Sequence, residues 1–242
     1  VSVDAYEIDG NLVGELRSNL EKAIDCIGGD ANVISGDFLT SIADESLKGD
    51  LPRYTHVIMN PPYKKIRAES KERKAARAFG LETVNLYTAF MGAAIVATVD
   101  GGHIVAIVPR SFCNGTYYKP FRQFMLDRCA IERIHLFESR NTAFKDESVL
   151  QENIIVLLRK NSPQGNVVVS HSTDGSFQDV KVQTYPFDAI VSCEGSEHYI
   201  NIPYGDEKIA DSRFDAFHTT LGGLGLHVST GAVVDFRTKD SL

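Results

Sequence analysis

His56-Val57-Ile58-Met59-Asn60-Pro61-Pro62-Tyr63 is the stretch on which the reading of this chain turns. Its first four residues have strand-forming character and predict a strand over 56–59. The prolines end that strand, because each fixes φ and removes a backbone donor. By itself Asn-Pro-Pro is also a stiff turn, so position must decide what the tetrad means. Upstream, Val1–Ile8 is rich in strand formers and ends near Glu7. Leu12, Leu16, Leu20 and Ile24 then recur every four residues and predict an amphipathic helix. Asn32–Ser35 predicts a short strand running into Gly36-Asp37. Three successive strands therefore end on Glu7, Asp37 and Asn60.

Downstream, Asn85–Val99 predicts a buried helix, Asp100-Gly101-Gly102 a turn and His103–Val108 a strand. Pro120 fits the first turn of a helix over about Tyr118–Asp127. Ala130–Phe137 and Glu152–Leu158 form an expected strand pair around a polar loop. Strands alternating with helices predict an α/β fold with a parallel sheet, closed by an antiparallel pair at one edge. Ligands of such open sheets bind outside the carboxyl ends of the strands. After Lys160 the texture changes: Asn161–Asn166 resembles a linker, and short strand-like runs follow at Val167–Ser170 and Val180–Tyr185. The expected division is therefore a domain over 1–160 and a β-rich extension over 161–242.

The chain has 242 residues, 43% hydrophobic and 24% charged, with a net charge of −7. That composition supports a real core and excludes a disordered chain. No apolar run approaches the roughly 18 residues of a membrane span, and the opening residues carry no signal-peptide pattern. Cys26, Cys113, Cys129 and Cys193 lack metal-ligand or disulfide spacing, which points to a reducing, cytoplasmic setting and no metal site. The acidic total argues at first against a nucleic-acid partner. It is an average, however. Residues 1–63 carry −7, residues 64–160 carry +6 and residues 161–242 carry −6. The densest basic run, Lys64–Arg77, holds seven basic and two acidic residues and directly follows the tetrad. It is either a solvated helix face or a phosphate-contacting segment.

The order of acidic strand ends followed by Asn60-Pro61-Pro62-Tyr63 resembles the class I S-adenosylmethionine-dependent methyltransferases. The tetrad resembles the catalytic loop of enzymes of that fold that methylate adenine N6 in DNA. The resemblance implies a Rossmann-like sheet, S-adenosylmethionine as cofactor and double-stranded DNA as substrate. It also implies a restriction–modification setting, with a cognate restriction endonuclease fused or separate. The chemistry suits the residues. The Asn60 side-chain oxygen and the Pro61 carbonyl are two acceptors for the two N–H groups of an exocyclic amine. Tyr63 offers a π face for a base turned out of the helix.

By the same resemblance Glu7 binds the cofactor's ribose, with Asp9 as a competing choice. Asp37 accepts from the cofactor's adenine amine and Phe38 packs on that ring, although an N-cap aspartate followed by a core phenylalanine explains both equally well. Phe90, in Asn85-Leu86-Tyr87-Thr88-Ala89-Phe90, lines the adenine pocket or is simply core. Phe144, with Phe137 as rival, stacks on the second face of the target base. Lys64, Lys65 and Arg67 contact phosphates. Thr230–Arg237 resembles the start of a DNA-recognition region. Family members carry a first strand and Gly-rich loop ahead of the strand at Val1, and this sequence shows neither. The expectation is therefore a fragment lacking the first strand and inactive alone. The remaining readings are a methyltransferase of a protein glutamine or an RNA base, and a non-catalytic DNA-binding piece of the same fold.

Overall fold

A computed structural model describes residues 1–137, 152–192, 196–203, 219 and 221–227. Residues Val1–Tyr204 form one compact unit and Gly205–Leu242 a second. In the second, a turn over 221–225 is described, with Leu221, Leu224 and Leu226 exposed. Phe144 and the segment Thr230–Arg237 lie outside the described residues.

The first unit begins with β1 (Ser2–Glu7), α1 (Gly10–Ile27) and β2 (Asp30–Ser35), where β1 and β2 pair in parallel. The four-residue apolar repeat does form α1, capped by the Asp9 side chain on Asn11 N–H. Of that row, however, Ile24 alone is buried and Leu12 is 48% exposed. The repeat reports a helical face, and here the face has little to pack against beyond β1 and β2.

The chain continues through α2 (Phe38–Lys48), β3 (Tyr54–Met59), α3 (Lys71–Ala78), α4 (Leu86–Ala97) and β4 (Thr98–Pro109). Asp100-Gly101-Gly102 is not a turn between helix and strand. It is an irregularity inside the twelve-residue β4, where the β3 pairing jumps from Tyr54↔Thr98 to His56↔His103. Gly101 has φ +77°. A Cβ on Gly102 would fall 2.8 Å from the Thr55 carbonyl oxygen, so the bulge needs both glycines.

After β4 come α5 (Lys119–Leu126), β5 (Cys129–Phe137), β6 (Asn153–Lys160), β7 (Val167–Ser172), β8 (Lys181–Tyr185) and the short α6 (Phe187–Ile190). Pro120 sits in the first turn of α5, as expected. The larger sheet has the order β3-β4-β6-β5-β7-β8. The expected antiparallel pair, β5 with β6, is present but interior, because β6 lies between β4 and β5. β7 joins β5 in parallel and β8 closes the edge antiparallel. The change of texture at 161 is thus a turn within one sheet, and the compact unit runs on to Tyr204.

β1–β2 and the six-stranded sheet are separate ladders among the described residues. They meet through side chains: Tyr6 and Tyr54 share a hydrogen bond of 3.1 Å, and the Tyr54 hydroxyl donates to Asp4 at 3.1 Å. β3 shows the consequence, with Ile58 86% exposed in a strand whose composition suits burial.

The core is one cluster centred on α4, whose Tyr87, Met91, Ala93, Ala94 and Ile95 are buried against β4, α2, α3 and α5. Arg122 of α5 is fully buried. It donates to the carbonyls of Phe112 (2.9 Å), Gly115 (2.8 Å) and Glu197 (2.8 Å), and its guanidinium lies over the Tyr199 ring. Turns leave carbonyls unpaired, and a planar five-donor fork satisfies three of them at once. Arg122 therefore ties segment 196–202 to the loop after β4. Replacing it with methionine leaves those carbonyls without donors. We expect a loss of about 3 kcal/mol or more, read as a fall of roughly 6–12 °C in thermal midpoint. A fall below about 2 °C would contradict this role.

Candidate active site at the carboxyl ends of the strands

β3 ends at Met59 and the tetrad follows immediately. Asn60 and Pro62 are exposed, Pro61 is buried and Tyr63 is half-buried. The Pro61 carbonyl accepts no hydrogen bond from the described residues. The Tyr63 hydroxyl lies 3.0 Å from Asn60 Oδ1 and 3.1 Å from the Ile107 carbonyl oxygen. Its ring meets Tyr87 edge-on, with centroids 6.1 Å apart.

Beyond the tetrad, a short ladder pins the chain to the start of α4. Leu86 N–H donates to the Lys64 carbonyl at 2.8 Å, Ile66 N–H donates to the Val84 carbonyl at 2.9 Å, and Lys65 bridges Asn85. Asn85 stands at the N-cap of α4 but does not cap it. Its Nδ2 donates instead to the Tyr118 hydroxyl at 2.6 Å. The Tyr118 hydroxyl is 3.2 Å from Ser111 Oγ, which lies 3.1 Å from the Tyr87 hydroxyl. Burial pushes the Tyr87 phenol well above its ordinary range, so it stays protonated. The loop thus rests on a polar and aromatic network drawn from α4 and the loop after β4. Sequence reasoning missed Ser111 and Tyr118, because a partner 33 residues away leaves no local signature.

The other two strand ends carry Glu7 and Asp37. Glu7 closes β1 half-buried, and its Oε1 accepts from Asp9 N–H at 2.8 Å. The competing Asp9 is occupied as the cap of α1. Asp37 caps α2, with Oδ1 accepting from Leu39 N–H at 3.1 Å. Phe38 stands between Tyr6 (5.0 Å, edge-on) and Phe90 (6.1 Å), which joins β1, α2 and α4 in one aromatic row. Tyr6 is the member of that row the sequence did not single out.

In the basic run, Lys64, Lys65 and Arg67 are exposed and enter no ion pair among the described residues. Arg73 and Arg77 are different. Both bind Glu82, with Arg77 Nε 2.7 Å from Oε2, and Arg77 first and Arg73 second hold that carboxyl below the usual range. Two of the seven cations are thereby engaged within the fold by one carboxylate, which offsets one of their charges. No cluster of metal-ligating side chains occurs among the described residues, and none of their helices is long and apolar enough to cross a membrane.

Phe137 is the last residue of β5 and meets His135 (4.8 Å) and Phe177 (5.8 Å) edge-on. His135 is buried between two serines. Ser172 Oγ donates to the Asp174 carbonyl, so it accepts from His135 Nε2, and Ser170 Oγ donates to Nδ1. A cavity of about 410 Å³ near Cys129, Asn161 and Phe187 lies at the opposite end of β5 and holds none of these residues.

This arrangement is that of the class I S-adenosylmethionine-dependent methyltransferase fold. It superposes on a Listeria monocytogenes protein assigned to that class with a TM-score of 0.52 and 16% identity, covering 70% of this chain and 49% of the other. A nuclease-deletion mutant of the Type ISP restriction-modification enzyme LlaGI, in complex with a DNA substrate mimic, gives 0.53 and 16% over 84% of this chain and 24% of that one. Residues 14–144 match the Eco57I restriction-modification methylase family, and the chain belongs to it. It is 45% identical to Type II methyltransferase M.BsuBI of Bacillus subtilis, over 98% of this chain and 48% of that protein. Identity to Type II methyltransferase M.PstI of Providencia stuartii is 39%, over 100% and 49%. The chain spans about half the length of these curated relatives.

His135 supplies a pH test of the β5 end. Burial first, then the charges of His171 and Arg133, lowers its pKa from 6.5. The folded chain keeps it neutral while the unfolded chain takes up a proton below about 6.5. Its contribution is complete above that pH and is lost as pH falls toward the folded-state value. The thermal midpoint should therefore drop between pH 7 and 5.5 less steeply in His135→Gln than in the parent. Equal slopes would contradict the assignment.

Proposed function

We propose that this chain is the catalytic part of a restriction–modification DNA methyltransferase. It would act in the cytoplasm on N6 of an adenine turned out of double-stranded DNA, with S-adenosylmethionine as methyl donor. The observation that carries the reading is the pair of acceptors at the end of β3: an exposed Asn60 amide beside a Pro61 carbonyl that no described group occupies. An exocyclic adenine amine is a weak nucleophile, because its lone pair is drawn into the ring. Two acceptors on its two N–H groups localise that pair and stabilise the positive charge that develops on nitrogen. The prolines preset the direction of the carbonyl. Tyr63 presents a ring for the extruded base, whose flipping costs a few kcal/mol. Positioning, with no general-base carboxylate, is the residues' main contribution.

The residues fit the cofactor. Asp37 Oδ2 and Glu7 Oε2 have no hydrogen-bond partner among the described residues, and Phe38 and Phe90 are in contact between α2 and α4, their ring centroids 6.1 Å apart. In this reading Glu7 holds the ribose hydroxyls and Asp37 the adenine amine, while Phe38 packs on the adenine ring and Phe90 lines its pocket. When bound, S-adenosylmethionine supplies an electrophilic methyl on a sulfonium. Lys64, Lys65 and Arg67 face phosphates, and a cognate restriction endonuclease is the expected partner activity. Phe144 remains the residue proposed for the second face of the base, with Phe137 as its described rival.

Two measurements on the full-length protein test this. Asn60→Ala should lower kcat for methyl transfer to duplex DNA about 100-fold or more, with duplex affinity within about twofold. Transfer at the parent rate would overturn the reading. Alanine at Lys64, Lys65 and Arg67 together should reduce the slope of log affinity against log salt by about 2–3. An unchanged slope would remove these residues from the DNA interface.

A further inference from the structure

The Tyr63 hydroxyl has one proton, and among the described residues two groups lie within its hydrogen-bond reach. The Ile107 carbonyl, 3.1 Å away, is main chain and accepts only. Ile107 lies one residue past the last β3–β4 pair, Met59↔Ala106, so the hydroxyl takes up the carbonyl just beyond the end of that ladder. The second group is the Asn60 amide, 3.0 Å away. With Oδ1 turned toward Tyr63, two acceptors compete for one proton. A half-turn of the amide exchanges Oδ1 and Nδ2 without changing its shape, and it removes the conflict. Tyr63 then donates to Ile107 and accepts from Asn60 Nδ2, and both polar groups are satisfied.

We propose that the Tyr63 hydroxyl is a positioning group that fixes the flip of the Asn60 amide, turning Oδ1 away from the loop toward its exposed side. This deepens the proposed function and rests on it, since the outward oxygen is the acceptor offered to the substrate amine. The ring and the hydroxyl of Tyr63 thereby have separate tasks. The ring packs edge-on against Tyr87 and presents a face to the base. The hydroxyl relays the direction of a fixed main-chain carbonyl to a side chain that would otherwise rotate freely between acceptor-out and donor-out states. Donor-out is unproductive, because it sets N–H against N–H. One neutral hydrogen bond holds the choice, an effect of about fivefold in rate.

Tyr63→Phe in the full-length protein keeps the ring and removes the relay. We expect kcat for methyl transfer to DNA to fall about fivefold, with affinities for duplex DNA and cofactor unchanged within about twofold. Asn60→Asp provides the discriminating background. A carboxylate carries oxygen at both positions and needs no flip, so there the effect of Tyr63→Phe should shrink below about twofold. An equal loss in both backgrounds, or no loss in the parent, would overturn the proposal. Neutron diffraction from deuterated parent crystals reads the same point without activity. Deuterium on the Tyr63 oxygen directed at Ile107, with two deuteriums on the Asn60 atom facing Tyr63, supports it. Deuterium directed at Asn60 refutes it. If the parent fails to methylate DNA, the proposed function falls, and the neutron map still decides the orientation.

Discussion

The site depends on how the chain leaves β3. A strand that ends in two prolines gives up its ladder, and the four residues that follow must be held by something other than sheet pairing. Tyr63 supplies that hold. Its ring rests on Tyr87 and its hydroxyl reaches the Ile107 carbonyl, so the loop is fastened to both α4 and β4. The Lys64–Ile66 ladder to Val84–Leu86 adds a second attachment on the far side. Asn60, just ahead of both attachments, remains exposed. A rigid loop with one exposed amide is a costly arrangement for a surface turn and a useful one for a binding site. The network behind it shows the same economy of donors. Asn85 gives up its cap and binds Tyr118, which keeps the start of α4 tied to the loop after β4.

Charge follows position. The acidic total of the chain conceals a basic middle third, and within that third the fold sorts the cations further. Arg73 and Arg77 converge on Glu82 and brace α3 against the segment before α4. Lys64, Lys65 and Arg67 stay outside, next to the tetrad. The group proposed to meet phosphate is therefore smaller than the run suggests and sits closer to the loop.

Much of this was legible in residue order. The prolines mark the end of β3 unmistakably, and Pro120 and the capping Asp37 mark helix starts, because these signals act within a few residues. Contacts between distant segments were not legible. The apolar row of α1 predicts a covered face, yet Leu12 is exposed, since periodicity says nothing about what stands opposite. Asp100–Gly102 has the composition of a turn, and only the pairing of β4 with β3 shows it to be a bulge. The run of Lys and Arg gave no hint that Glu82 would claim two of its members. Likewise, nothing local marks residues 167–185 as strands of the same sheet, because the order β6-β5-β7 is set by crossovers.

The central claim is that the two acceptors at the end of β3 hold an exocyclic adenine amine. It is tested most directly by incubating the full-length protein with duplex DNA and isotopically labelled S-adenosylmethionine, digesting the DNA to nucleosides and identifying the labelled product by mass spectrometry. The account predicts label in N6-methyldeoxyadenosine, lost on Asn60→Ala. Label in a methylated cytosine, or in protein or RNA in place of DNA, would contradict it.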